Sequence, residues 1–275
     1  SFKVEECLDK ITEEGLAFIE REANKEKPFF LYLPLTALHT PWMPSENFKG
    51  KTELGTYGDF VAQVDYIVER IGKKLRELGI EENTMLIFSS DNGAAWEEED
   101  VLQYAHQSNA GRRGMKGDAW DGGHHVPLII KWPGKIKAGS EYNQDISLVD
   151  FYATFADLTH QDLNDRQAED SFSFFSVLNG DLMTPVRDHI VYLSSSGRLA
   201  IKKGEWKYIE GLGSGGFSYP AKLPAVKNGP SDQLYNMKED VLERNNLFLR
   251  KPEIVKELKS CLEEIVKSGF SRHKK

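Results

Sequence analysis

The chain has 275 residues, 40% of them hydrophobic and 28% charged, with 11 prolines and a formal net charge of -8. These totals suit one large α/β domain, or a large domain with a smaller appendage, and they exclude a disordered or low-complexity chain. The acidic balance argues against a general nucleic-acid surface, which carries Lys and Arg clustered on a basic domain.

No stretch reaches the roughly 18 consecutive apolar residues of a membrane-spanning helix. The chain opens on polar, helix-like sequence without the apolar core of a signal peptide. Cys7 and Cys261 sit in helical patterns with no second Cys or His at metal-ligand spacing, and both read as packed thiols.

In chain order, Val4, Leu8, Ile11, Leu16 and Ile19 recur at helical spacing and predict a helix over 4–21. Residues 28–33, Pro-Phe-Phe-Leu-Tyr-Leu, form a continuous apolar run and predict a strand buried on both faces. The set Phe60, Val61, Val64, Ile67, Val68, Ile71, Leu75 and Leu78 lies on one helical face, so a helix over 58–79 is expected to stop at Gly79. Residues 84–90 read as a second buried strand, and strand, helix, strand implies a parallel crossover. A long polar loop is expected over 94–123, of a length that is usually functional or disordered. A strand over 126–132 and a helix over 147–158 follow. From about residue 188 the texture changes to short strands at 190–193, 199–201, 206–209 and 233–235, a Gly-rich loop at 211–216 and an amphipathic helix over 252–267. The expectation is an α/β body over 1–186 and a small antiparallel sheet with a helix over 187–275.

Ligands collect beyond the carboxyl ends of parallel strands, and Asp91-Asn92-Gly93 stands at such an end. A carboxylate beside an amide carbonyl offers two hard oxygens, which suit Ca²⁺ or Mg²⁺ better than zinc; the same tripeptide also reads as an Asx-Gly turn closing a strand. His39, in Leu-His-Thr-Pro-Trp at 38–42, follows the first predicted strand and reads either as a proton donor to an anion or as a structural loop histidine. Within the long loop, His106, Arg113, Lys116 and the Asp-Gly-Gly-His run at 121–124 combine glycines that admit close backbone approach with a compact cation suited to an oxyanion. Taken alone, that loop reads as a solvated basic patch.

The ordered set of His-Thr-Pro-Trp at 39–42, Phe-Lys-Gly-Lys at 48–51, Ile-Phe-Ser-Ser-Asp-Asn-Gly at 87–93 and Arg-Gly-Met-Lys-Gly-x-x-x-x-Gly-Gly at 113–123 resembles the arylsulfatase family of type I sulfatases. Val126-Pro127, Trp-Pro-Gly-Lys-Ile at 132–136, Ser-Gly-Arg-Leu-Ala-Ile-Lys at 196–202, Glu-Trp-Lys at 205–207, Gly-Ser-Gly-Gly-Phe-Ser at 213–218 and Leu-Tyr-Asn at 234–236 extend the likeness over nearly the whole chain. The resemblance implies an alkaline phosphatase-like, mostly parallel sheet flanked by helices, incomplete on its N-terminal side, plus the small C-terminal sheet and helix. It implies sulfate-ester hydrolysis, with Asp91 and Asn92 as ligands of Ca²⁺, or Mg²⁺ in its place, acting as a Lewis acid. Lys116 would contact the sulfate group and His39 the sulfate or the leaving oxygen. Arg113, His106 and Trp42 lie beside those positions and are expected to shape the pocket for the rest of the substrate.

Sulfatases use a formylglycine made in a Cys/Ser-x-Pro-x-Arg motif, and no such motif occurs in these 275 residues. Ser-Tyr-Pro-Ala-Lys at 218–222 ends in Lys and lies in the C-terminal sheet region. The expectation is therefore a fragment, inactive by itself, whose nucleophile and remaining metal ligands lie in a preceding segment. Two rival readings remain. One is a two-zinc phosphatase or phosphodiesterase of the same superfamily, disfavoured because Asn92 stands where zinc would want an imidazole. The other is a non-catalytic anion-binding module. A sulfate ester of a glycan or small molecule is the expected ligand, with a periplasmic or secreted location by family likeness; oligomeric state is not legible.

Overall fold

The computed structural model describes residues 3–272, so residues 1–2 and 273–275, at the outer ends of the two expected segments, lie outside the described residues. The chain forms two compact units: one runs to Ile87 and adds Ile130–Ala138, and the other comprises Phe88–Ile129 and the chain from Gly139 onward.

In the first unit, α1 (Cys7–Glu22) and α2 (Gly55–Glu77) form where helical spacing predicts them. Leu8 of α1 packs with Phe60 and Ile67 of α2, joined by Leu35, Ala37, Trp42 and Ile71. Gly79 takes φ 69°, the left-handed conformation that ends α2 without a Cβ penalty. A buried carboxylate organises the turn before α2: Asp59 accepts backbone N–H bonds from Gly50, Lys51 and Thr52 at 2.7, 2.9 and 2.8 Å. Burial alone would raise this carboxyl, but those donors outweigh it and hold the group below its ordinary value.

Residues 28–33 are extended yet belong to no strand. Their apolar run alternates: Phe30 and Tyr32 are 73% and 75% exposed, while Leu33 lies against Gly15 of α1. The predicted first strand of the crossover is thus absent among the described residues: the apolar run packs one side on α1 and turns the other outward instead of entering a sheet. Instead β1 (Leu86–Ser89) pairs with β2 (Leu128–Lys131) in a two-stranded sheet.

In the second unit the expected long loop contains α3 (Glu98–Tyr104), whose start is fixed by Glu97 N donating to Asp100 Oδ2 at 2.9 Å. The acidic run Glu97–Asp100 hid an N-terminal helix signal that favours carboxylates in the first turn. Next come α4 (Asp150–Leu158) and a single turn, α5 (Phe175–Leu178). Strands β3 (His189–Leu193), β4 (Leu199–Lys203), β5 (Trp206–Ile209) and β6 (Gln233–Asn236) form an antiparallel sheet in sequence order. α6 (Pro252–Ser268) closes the chain.

Period-two alternation assigns the two faces of that sheet. Ile201, Tyr208 and Leu234, which are register partners, pack on Val255, Leu258 and Leu262 of α6. Ala200, Ile209 and Tyr235 on the opposite face pack on Ala119 and Trp120. The sheet therefore serves as the floor on which residues 112–124 are built, and with α6 it forms the small antiparallel sheet and helix expected of the fold class.

Candidate active site

Asp91 is exposed and Asn92 half-buried, just beyond the carboxyl end of β1. Backbone bonds join the residues after them to the 109–123 loop: Gly93 N donates to Gly123 O at 3.0 Å and Lys116 N to Ala94 O at 3.2 Å. The Asn109 amide locks the same junction, accepting from Ala94 N at 2.8 Å and donating to Ala94 O at 3.0 Å. Gly93 admits no side chain, since a Cβ there would stand 1.8 Å from Gly122 O. The Asx-Gly turn and the candidate ligand pair are thus one structure, with the glycine needed for the close approach of the loop.

Lys116 is half-buried, and its Nζ makes no hydrogen bond or ion pair among the described residues. The backbone around it is tightly fixed. Asp118, fully buried, accepts from Met115 N at 2.9 Å and from Ser218 N at 3.0 Å. Gly122 N donates to Arg113 O at 2.8 Å, and Ala119 N to Ser214 O at 2.8 Å. A rigid frame presenting an unpaired ammonium is suited to holding an oxyanion, because reorganisation has been met during folding.

Beneath this loop lies a buried charge cluster that the sequence reading missed. Lys207, with no exposed surface, places Nζ 2.9 Å from Glu243 Oε1 and 3.9 Å from Asp121 Oδ1. Asp121 N donates to Glu243 Oε2 at 2.6 Å, and Arg112 Nη1 donates to Asp121 Oδ2 at 2.7 Å. Two cations thus face two carboxylates. Burial pushes the Glu243 carboxyl above its ordinary value despite the opposing pull of Lys207. The available sign was a lysine in β5 on the same face as Ile209, where alternation calls for an apolar residue.

His124 borders this cluster, its ring 4.9 Å from that of Tyr192 and its Nε2 buried without a partner. Burial, assisted by the Lys207 charge, lowers its pKa to about 4. Arg113 sits 3.7 Å over the Trp120 ring and donates from Nη1 to Glu243 O at 2.5 Å and to the Tyr235 hydroxyl at 3.3 Å. Its guanidinium clamps the loop onto β6. His106 accepts the Trp96 indole N–H on its backbone oxygen at 2.9 Å and sets its ring edge-on to Trp96 at 5.9 Å.

His39 and Trp42 belong to the first unit. His39 is exposed, with Nδ1 2.7 Å from Thr40 O, so Nδ1 donates to that carbonyl and Nε2 is the ring nitrogen left for a ligand. Trp42 meets the Tyr57 ring edge-on at 5.1 Å. Asp91, Asn92, His106, Arg113 and Lys116 all belong to the second unit. Among the described residues no group of three or more His, Cys, Asp or Glu is placed to hold a metal. Asp91 and Asn92 supply two hard oxygens of the kind a hard cation prefers, fewer than the six to eight that Ca²⁺ takes.

Comparison with known proteins bears on this arrangement. The family model described as Sulfatase matches residues 3–161, which include β1, the Asp91-Asn92 turn and the Lys116 loop. The N-acetylgalactosamine-6-O-sulfatase of Bacteroides thetaiotaomicron is 35% identical over 269 residues, covering 96% of this chain and 52% of that protein. The steryl-sulfatase of Homo sapiens is 36% identical over 172 residues, 62% of this chain and 29% of that protein. Among solved structures, a Bacteroides thetaiotaomicron protein described in connection with the metabolism of multiple glycosaminoglycans superposes with a TM-score of 0.85 at 35% identity, covering 96% of this chain and 55% of its own. The chain thus spans about half the length of the relatives that match it throughout. With the family match extending over more than half of its residues, and through the loop that presents Lys116, the chain belongs to the sulfatase family.

Proposed function

We propose that this chain supplies part of the active site of an enzyme that hydrolyses sulfate esters, with a sulfated glycan as substrate. The observation that carries the reading is Lys116: an ammonium without an internal partner, on a loop fixed by the buried carboxylate of Asp118 and bonded through the backbone to the residue following Asp91-Asn92-Gly93. In this reading Lys116 binds the sulfate oxygens, and His39 donates to the sulfate or the leaving oxygen when protonated. Arg113, His106 and Trp42 shape the surroundings through their aromatic contacts. Asp91 and Asn92 hold Ca²⁺, or Mg²⁺ in its place, with further ligands from outside the described residues; when bound, the cation neutralises sulfate oxygens as a Lewis acid. Cys7, Cys261 and Ser218 lack the formylglycine motif, so no step is assigned to a nucleophile of this chain.

A sugar substrate is favoured over a steroid because the sugar-sulfate sulfatase matches 96% of the chain, against 80% and 62% for the mouse and human steryl-sulfatases. The same proposal takes residues 1–186 as the C-terminal portion of the sulfatase body and 187–275 as an appended subdomain, supported by the end of the family match at residue 161. It also takes the protein to be exported to the periplasm or beyond; no helix among the described residues is long and apolar enough to cross a membrane.

The test uses the natural gene product that contains these residues. It is expected to release sulfate from N-acetylgalactosamine 6-sulfate, to lose that activity on chelation and regain it with Ca²⁺. Lys116→Ala is expected to lower kcat by roughly 100-fold, the usual cost of removing one group that stabilises developing charge. Zinc-dependent release of phosphate from phosphoesters, with no action on sulfate esters, overturns the reading in favour of a two-metal phosphoesterase.

A further inference from the structure

Phe217 is 58% exposed. Single exposed apolar side chains are ordinary, but this one is held firmly against the Lys116 loop. Two of its ring carbons lie 3.2 and 3.3 Å from where a Cβ on Gly117 would stand, so the ring rests on the residue that follows Lys116. Gly117 takes φ +86°, a conformation that side chains rarely adopt, and so leaves that face of the loop open to the ring.

One carboxylate fixes both positions. Asp118 Oδ2 accepts from Met115 N, the residue before Lys116, and Oδ1 accepts from Ser218 N, the residue after Phe217. The turn that carries Phe217 is closed by the fully buried Ser214, whose Oγ accepts from Gly216 N at 3.0 Å and donates to Ser218 O at 2.7 Å. Gly216 approaches so closely that a Cβ there would stand 2.1 Å from Gly117 O. The Gly-Ser-Gly-Gly-Phe-Ser run at 213–218 thereby acquires a purpose: its small residues bring an aromatic ring, half in water, onto Gly117, the residue after the proposed sulfate-binding lysine.

We propose that Phe217 is a substrate-contacting, specificity-determining residue, whose ring is the apolar wall on which the C–H face of the sugar bearing the sulfate packs. Binding sites commonly pair such aromatic lining with a few charged groups that fix orientation. The proposal rests on the reading of Lys116 given above, and the experiment separates the two.

In the natural gene product, wild type, Phe217→Ala, Phe217→Trp and Lys116→Ala are titrated calorimetrically with N-acetylgalactosamine 6-sulfate and with inorganic sulfate. Phe217→Ala is expected to weaken the sulfated sugar about tenfold and to leave inorganic sulfate unchanged. Phe217→Trp keeps the sugar affinity, and Lys116→Ala weakens both ligands. Unchanged sugar affinity in Phe217→Ala overturns the proposal, as does an equal loss for inorganic sulfate, which marks Phe217 as a structural support of the loop. Should Lys116→Ala leave sulfate binding intact while Phe217→Ala weakens the sugar, the Lys116 reading fails and the aromatic wall stands. A wild type that binds neither ligand overturns both.

Discussion

At the scale of single residues, His124 shows how the buried ionic floor limits what the chain tolerates. Its folded pKa of about 4 lies below the ordinary value of 6.5. Between those values the unfolded chain takes up a proton that the folded chain refuses, so stability falls as pH drops from about 6.5 to about 4 and is flat above that window. The loss attributable to this one group is up to about 3 kcal/mol at the lower end. His124→Gln removes the titrating ring, and its stability, measured by urea unfolding across the window, is expected to decline less steeply than wild type. Parallel profiles for the two proteins would sink the assignment of acid sensitivity to His124.

At the scale of elements, the site loop is fastened to β5 by Lys207, whose fully buried Nζ faces Glu243 and Asp121. Removing one member of such a set strands the others, at a cost of roughly 3–5 kcal/mol, whereas removing opposed partners together costs far less. Lys207→Met is therefore expected to lower the denaturant midpoint strongly, and Lys207→Met with Glu243→Gln to recover much of it, a coupling read by a double-mutant cycle. Additive losses would show that the pair does not hold the loop.

The same scale explains what the sequence made legible. α1, α2, α4, α6 and all four strands of the C-terminal sheet follow from apolar spacing of 3.6 or 2, because each buries one face within its own unit. α3 was hidden because its Glu97–Asp100 start carries carboxylates that read as loop. Residues 28–33 were misassigned because strand identity depends on a hydrogen-bonding neighbour, which composition does not reveal. In the candidate site, Asp91, Asn92, His39 and Lys116 were picked out by a motif order resembling the family's. Asp118, Lys207 and Glu243 were not, since each makes a contact reaching across about a hundred positions in the chain.

For the chain as a whole, the exposed apolar surface sets its behaviour when it is expressed by itself. Phe30 and Tyr32 project from an extended segment outside any strand, and Ile129 of β2 is 61% exposed on a sheet of only two strands. Two-stranded sheets are marginal in isolation, and exposed strand edges and apolar segments template pairing with another copy. Opposing this, a net charge of -8 makes copies repel one another, and salt screens that repulsion over about 10 Å at 0.1 M ionic strength. The 275-residue chain alone is therefore expected to self-associate, and to do so more strongly as salt is raised. Sedimentation velocity at low and high salt measures both effects. Phe30→Lys with Tyr32→Lys places charge on the extended segment and is expected to shift the distribution toward monomer at every salt concentration. A wild-type chain that stays monomeric throughout, or a double variant that associates as wild type does, would mean that residues 28–33 are not the adhesive segment.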